Sequence, residues 1–159
     1  MGRSRGNRAL HRRSMASLGQ AGLALESVSA RRRSEIMARV RNRDTGPELA
    51  VRRLVYGMGY RYRLHSKSLP GRPDLVFRPR RKVIFIHGCF WHRHAKCALA
   101  RMPKSRLKFW KPKLEGNRVR DERIRRALRA EGWSVLTVWE CELARPQRVA
   151  SKIRRFLDA

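Results

Sequence analysis

Apolar positions change their spacing several times along the chain, and each change marks an element. Ser34–Arg41 reads as a short helix with Ile36, Met37 and Val40 on one side. Asp44 and Thr45 supply N-cap chemistry, Pro47 sits early in the next helix, and Glu48 suits its positive end. Leu49, Leu54, Val55 and Met58 carry that helix to Gly57 and Gly59. Tyr60–Leu64 alternates apolar or aromatic residues with arginine, the period of a strand. The run Leu69-Pro70-Gly71-Arg72-Pro73 is a turn, Asp74–Phe77 a short strand, and Pro79-Arg80-Arg81 a second turn. Lys82–His87 is nearly continuously apolar, as a central strand is. Gly88–Arg106 is irregular. Asn117–Glu131 predicts a basic amphipathic helix with Val119, Ile124, Ala127 and Leu128 inward, ended by Gly132. Trp133–Trp139 predicts a buried strand, and Pro146–Leu157 a closing helix with Val149, Ile153, Phe156 and Leu157 on one face. The order predicts an α/β fold, a central mixed β-sheet flanked by helices.

Composition divides this pattern in two. Residues 1–33 hold eight arginines against Glu26 and no persistent apolar stripe, so a basic, disordered N-terminal tail is expected there. Residues 34–159 form the folded unit, a length that suits one domain with one real core. The whole chain carries a formal net charge of +28, and +21 of it remains once the tail is set aside. That balance points to a polyanionic partner, nucleic acid above all, and does not by itself separate an enzyme from a structural binder. No apolar run is long enough to span a membrane, and the N-terminus makes a poor secretory signal, so no membrane partner and a cytoplasmic location are expected. Three cysteines do not pair off into a disulfide framework, and reduced thiols near histidines suggest metal.

Three constellations carry candidate chemistry. Cys89, His92, His94 and Cys97 crowd into one loop, and Cys141 follows a predicted strand. Cys89-x4-His94-x2-Cys97 with a distant fourth ligand suits a closed tetrahedral structural Zn²⁺ site, which would give an irregular loop its folding energy. The spacing leaves the choice between His92 and His94 open, and Cys141 alone could be a buried thiol at a strand end. Asp74, after Pro73, begins one strand while Ile86 and His87 end another; a carboxylate and a main-chain carbonyl there could share a Mg²⁺ ion that acts on a scissile phosphate. Asp74 could equally cap the turn. His87 and His92 could exchange protons near neutral pH. Finally, Phe90-Trp91 and Phe109-Trp110 stand among basic residues, where aromatic rings can wedge between base steps; core filling is the other reading, and it is taken for Trp133 and Trp139.

The runs Ser68-Leu69-Pro70-Gly71-Arg72-Pro73-Asp74, Val83 through His92, and Gly132-Trp133 through Trp139-Glu140-Cys141 closely resemble the very-short-patch-repair (Vsr) DNA mismatch endonucleases. The resemblance covers roughly Ser34–Leu157. It implies a restriction-endonuclease-like fold and a Mg²⁺-dependent nick on the 5′ side of the thymine in a T:G mismatch, the product of 5-methylcytosine deamination. It implies Asp74 and the Ile86 carbonyl as Mg²⁺ ligands, although Ile86 stands where the family carries threonine. His87 and His92 would be catalytic, with His92 as base, and Glu48 and Asp121 supporting acids. Zn²⁺ would sit on Cys89, His94, Cys97 and Cys141. Phe90, Trp91 and Trp110 match the aromatic wedge at the mismatch, and Met37 an intercalating position. The implied partners are T:G-containing duplex DNA, a cytosine-5 DNA methyltransferase as functional neighbour, and mismatch-repair proteins, at a bacterial nucleoid. Two other classes are a non-enzymatic zinc-containing nucleic-acid binder and a general restriction-type nuclease that cuts matched DNA.

Overall fold

The computed structural model describes residues 43–159. The basic tail, the helix expected over 34–41 and Met37 lie outside the described residues.

The first helix, α1 (Gly46–Gly57), starts where its caps predict. Thr45 Oγ1 accepts from the Glu48 amide at 3.4 Å and donates to Glu48 Oε1 at 3.0 Å, while the Asp44 amide donates to Glu48 Oε2. This reciprocal cap satisfies helix N–H groups and fixes the Glu48 carboxylate at the same time. Strands β1 (Arg63–Leu64), β2 (Leu75–Phe77) and β3 (Lys82–His87) follow. Then come helix α2 (Leu107–Ala130), strand β4 (Ser134–Trp139) and helix α3 (Pro146–Asp158).

The four strands lie side by side in chain order. The pairs β1/β2 and β2/β3 are antiparallel, and β3/β4 is parallel through the α2 crossover. The register places Leu75 opposite Ile84, and His87 opposite Trp139. Alternation along the strands builds two cores. Leu75, Phe77, Ile84, Ile86 and Val138 meet α1 and α3 through Val51, Val55, Val149, Ile153 and Leu157. Val76, Val83 and Val135 meet α2 through Ile124 and Leu128 on the other face, with Leu69 and Trp133. The result is a mixed open sheet between helices.

Three elements differ from the pattern-based expectation. The strand expected over Tyr60–Leu64 is reduced to Arg63 and Leu64, paired with Val76 and Leu75, while Tyr60 and Tyr62 pack on the first core. Helix α2 begins at Leu107, well before Asn117, and runs through Pro112 and Gly116, which a local reading takes as breakers. Leu114, fully buried, anchors this first stretch, so packing overrides local propensity. Val119, expected inward, is 61% exposed.

The turn before β2 is held against α2. Gly71 has φ +72°, and a Cβ there would lie 2.4 Å from Ile124 Cγ2. Only glycine permits both the left-handed backbone and the close approach. This seats Pro73 and Asp74 at the entrance of β2.

Candidate active site

Three features meet where β3 and β4 end together. Asp74 precedes β2, and its Oδ2 accepts the Ile86 amide at 2.7 Å. Glu48, Arg52 and His92 are near enough to act on its charge. Burial pushes the Asp74 carboxyl up to about 6; the Ile86 amide pulls it down and the neighbouring Glu48 pushes it up again. Glu48 is itself buried and held by Arg52, whose Nη2 donates at 2.8 Å to Glu48 Oε2. The same guanidinium reaches Asp44 Oδ1 at 2.5 Å and His65 Nε2 at 3.1 Å. Arg52 was one arginine among 40 Lys+Arg in the sequence, and no local signal marked it.

The second feature is a histidine pair. His87 closes β3 and stacks on His92, with ring centroids 3.8 Å apart and planes 11° apart. His92 Nδ1 lies 2.5 Å from Asp121 Oδ2 on α2. Burial, then the charge of His92, holds His87 down to about 3, so it is neutral at working pH. Burial raises Asp121, but its hydrogen bond and attraction to His92 outweigh this and leave its carboxyl below the ordinary range. An ionised Asp121 accepts a hydrogen bond from His92 Nδ1, which fixes how that ring is turned. The ligand atoms of His87, His92 and Asp121 all lie within 4.8 Å of one another, so the three form one polar cluster, and its Asp121–His92 bond suits proton transfer.

The third feature is the Cys/His loop. His94 turns away from the pair: its Nδ1 lies 3.5 Å from Cys89 Sγ and 3.3 Å from Cys141 Sγ. With Cys97, all four ligand atoms lie within 4.8 Å of one another. A tetrahedral zinc with ordinary bond lengths separates sulfur from nitrogen by about 3.6 Å, so the donor set fits that ion. Arg93, between His92 and His94, has a left-handed φ of 52°, and Lys96, between His94 and Cys97, one of 56°; His92 and His94 end in different clusters. Cys89 donates its amide to Glu140 Oε2 at 3.2 Å, which ties the loop to the segment after β4.

Beside the histidines, Phe90, Trp91 and Trp110 contact one another with centroids 5.1 to 6.0 Å apart, and Phe109 joins through Trp110. Phe109 is 46% exposed. Lys113 lies over three of these rings, 5.2 Å from the Phe109 centroid and 6.0 Å from those of Trp91 and Trp110. Asn117 Nδ2 donates to the Trp91 carbonyl, pinning the patch to α2. Trp133 is buried in the second core as expected. Trp139 is a correction: it does not fill either core but stands half-buried between the histidine pair and the thiol cluster, because it is the last residue of β4 and lies past the covering helix.

A carboxylate pair, an Asp-bound histidine and a half-buried aromatic patch with Phe109 exposed share one corner of a strongly basic chain, an arrangement suited to a DNA-cleaving enzyme. The comparisons with known proteins agree. The family model for the DNA mismatch endonuclease Vsr matches residues 26–99. The chain is 51% identical to the type II nicking enzyme V.XorIIP of Xanthomonas oryzae over 84% of its own length and 97% of that protein. It is 37% identical to the type II nicking enzyme V.NmeAIP of Neisseria meningitidis, covering 80% of this chain and 94% of that one. To the DNA mismatch endonuclease Vsr of Escherichia coli it is 46% identical, over 70% of each. The catalytic domain of the homing endonuclease I-Bth0305I overlays with a TM-score of 0.49 at 19% identity, covering 71% of this chain and 94% of that one, too loose a likeness to argue from. The chain belongs to the Vsr family and is a DNA endonuclease.

Proposed function

We propose that this endonuclease nicks one strand of duplex DNA on the 5′ side of the thymine in a T:G mismatch, by Mg²⁺-dependent hydrolysis on a restriction-endonuclease-like fold. The observation that carries the reading is the corner itself: Asp74 beside Glu48, and His92 held by Asp121, next to a half-buried aromatic patch. Asp74 would hold Mg²⁺ together with the Ile86 carbonyl. The half-buried carboxylate with an acidic neighbour fits a hard cation, which relieves both the burial cost and the repulsion. When bound, the ion neutralises charge on the scissile phosphate and polarises water.

The residues divide the remaining work. Asp121 orients His92, and Nε2 takes the proton of the attacking water as the phosphorus–oxygen bond to the departing strand end breaks. His87, neutral and stacked, holds the plane of that ring. Phe90, Trp91 and Trp110 would wedge beside the mismatch, with Met37 entering from the other groove; a mismatched pair unstacks at lower cost than a matched one. Cys89, His94, Cys97 and Cys141 would hold a structural Zn²⁺ that braces the loop carrying the wedge. A basic N-terminal tail over residues 1–33 would add phosphate contacts. The enzyme would act at the nucleoid, following a cytosine-5 methyltransferase, with mismatch-repair proteins as candidate partners.

Nicking of labelled duplexes tests this. With Mg²⁺ the protein should cut the thymine strand of a T:G duplex and leave a matched duplex intact, while Asp74→Ala should bind but not cut. Cutting of both strands of the matched duplex would make it a general nuclease; undiminished cutting by Asp74→Ala would remove Asp74 from the site.

A further inference from the structure

The rings at the end of the sheet form one uninterrupted series. His94, of the thiol cluster, lies flat on Trp139 with centroids 4.1 Å apart and planes 6° apart. Trp139 meets His87 edge-to-face at 5.4 Å and 76°. His87 lies flat on His92, and His92 is bound to Asp121. Strand register underlies the series, since His87 and Trp139 are paired as the last residues of parallel β3 and β4.

Backbone pairing fixes where His87 starts, not how its ring turns. No hydrogen bond from the His87 side chain to a described residue holds that ring; Phe85, His92 and Trp139 wall it in. Removing one wall therefore widens the rotation open to the ring, with Phe85 and His92 left as its neighbours. Trp139 is that wall on the β4 side, and its own face is set by His94.

We propose that Trp139 is a positioning residue for the histidine pair, passing the orientation of His94, and with it the state of the thiol cluster, to the ring planes of His87 and His92. The inference rests on His87 and His92 serving the cleavage reaction. It makes the structural cluster a condition for the chemistry without placing any of its atoms at the phosphate.

The test is Trp139→Leu in the full chain, read by zinc content, duplex affinity, single-turnover nicking and the histidine ring signals in NMR. Nicking should fall roughly tenfold to a hundredfold, the range that a displaced catalytic group costs. Zinc per chain and affinity should hold, the His87 and His92 signals should move, and Trp139→Phe should restore part of the rate. Wild-type nicking by Trp139→Leu overturns the proposal. So does loss of zinc in step with activity, which would make Trp139 mere packing for the loop. Should the leucine variant fail to fold, Trp139→Phe decides: with zinc retained, unmoved His87 signals overturn the proposal. A wild type that does not nick at all brings down the cleavage reading and this inference with it.

Discussion

Asp74 makes a prediction about pH. Its carboxyl is raised to about 6 by burial, so the folded state binds a proton there more tightly than the unfolded chain does. Its contribution to stability is present at low pH and is lost as pH rises from the ordinary carboxylate range through 6. A bound cation competes with that proton. Nicking should therefore fall as pH drops through 6, and raising Mg²⁺ should move the fall to lower pH, measured as rate against pH at two Mg²⁺ concentrations. An acid limb that ignores Mg²⁺ would place the titration elsewhere. His87 works oppositely: held down to about 3 by burial, it favours the folded state above its ordinary range and withdraws that support as pH falls toward 3. Arg52 predicts stability. Its removal leaves Glu48 buried without its cation, so Arg52→Leu should cost about 3 kcal/mol in denaturant unfolding. At this scale the sequence was half legible. Asp74, the cysteines and the histidines stand out by type, whereas the parting of His92 from His94 goes with a left-handed turn at Arg93 that spacing does not reveal.

Helices show where local pattern stops being informative. The caps of α1 and the apolar face of α3 were readable because a few neighbouring residues decide them. The start of α2 was not: Pro112 and Gly116 argue against a helix locally, and the full burial of Leu114 between them argues for it through the folded chain. The same helix separates two apolar residues that its sequence presents alike. Leu128 is fully buried and Val119 is exposed. Leu128→Ala should cost about 3 kcal/mol and Val119→Ala about 0.5 kcal/mol or less, by urea denaturation. Equal costs would mean that α2 is rotated from the orientation described. In the Cys/His loop, Cys97→Ser should lower zinc per chain and melting temperature together, checked by elemental analysis and calorimetry; full zinc in that variant would remove Cys97 from the donor set.

Across the whole molecule, charge and the aromatic patch are distributed differently. The +28 balance is spread along the sequence, +7 in residues 1–33 and +21 in residues 34–159, while the aromatic patch is confined to one corner. Phosphate contacts position a protein without reading sequence. Affinity should therefore drop steeply with added salt while the ratio of T:G to matched binding changes little, measured by titration at several salt concentrations. A ratio that collapses with affinity would assign recognition to the charges.

The parallel pairing of β3 with β4 has a consequence in time. Asp74, His87 and Asp121 are all made before β4, yet β3 lacks its neighbour until the α2 crossover closes, and Cys141 arrives just behind β4. Such a long-range pairing forms late. A growing chain thus carries the groups proposed for cutting early and assembles them last, so on that reading an unfinished copy emerging beside DNA would have the chemistry but not the geometry to break it.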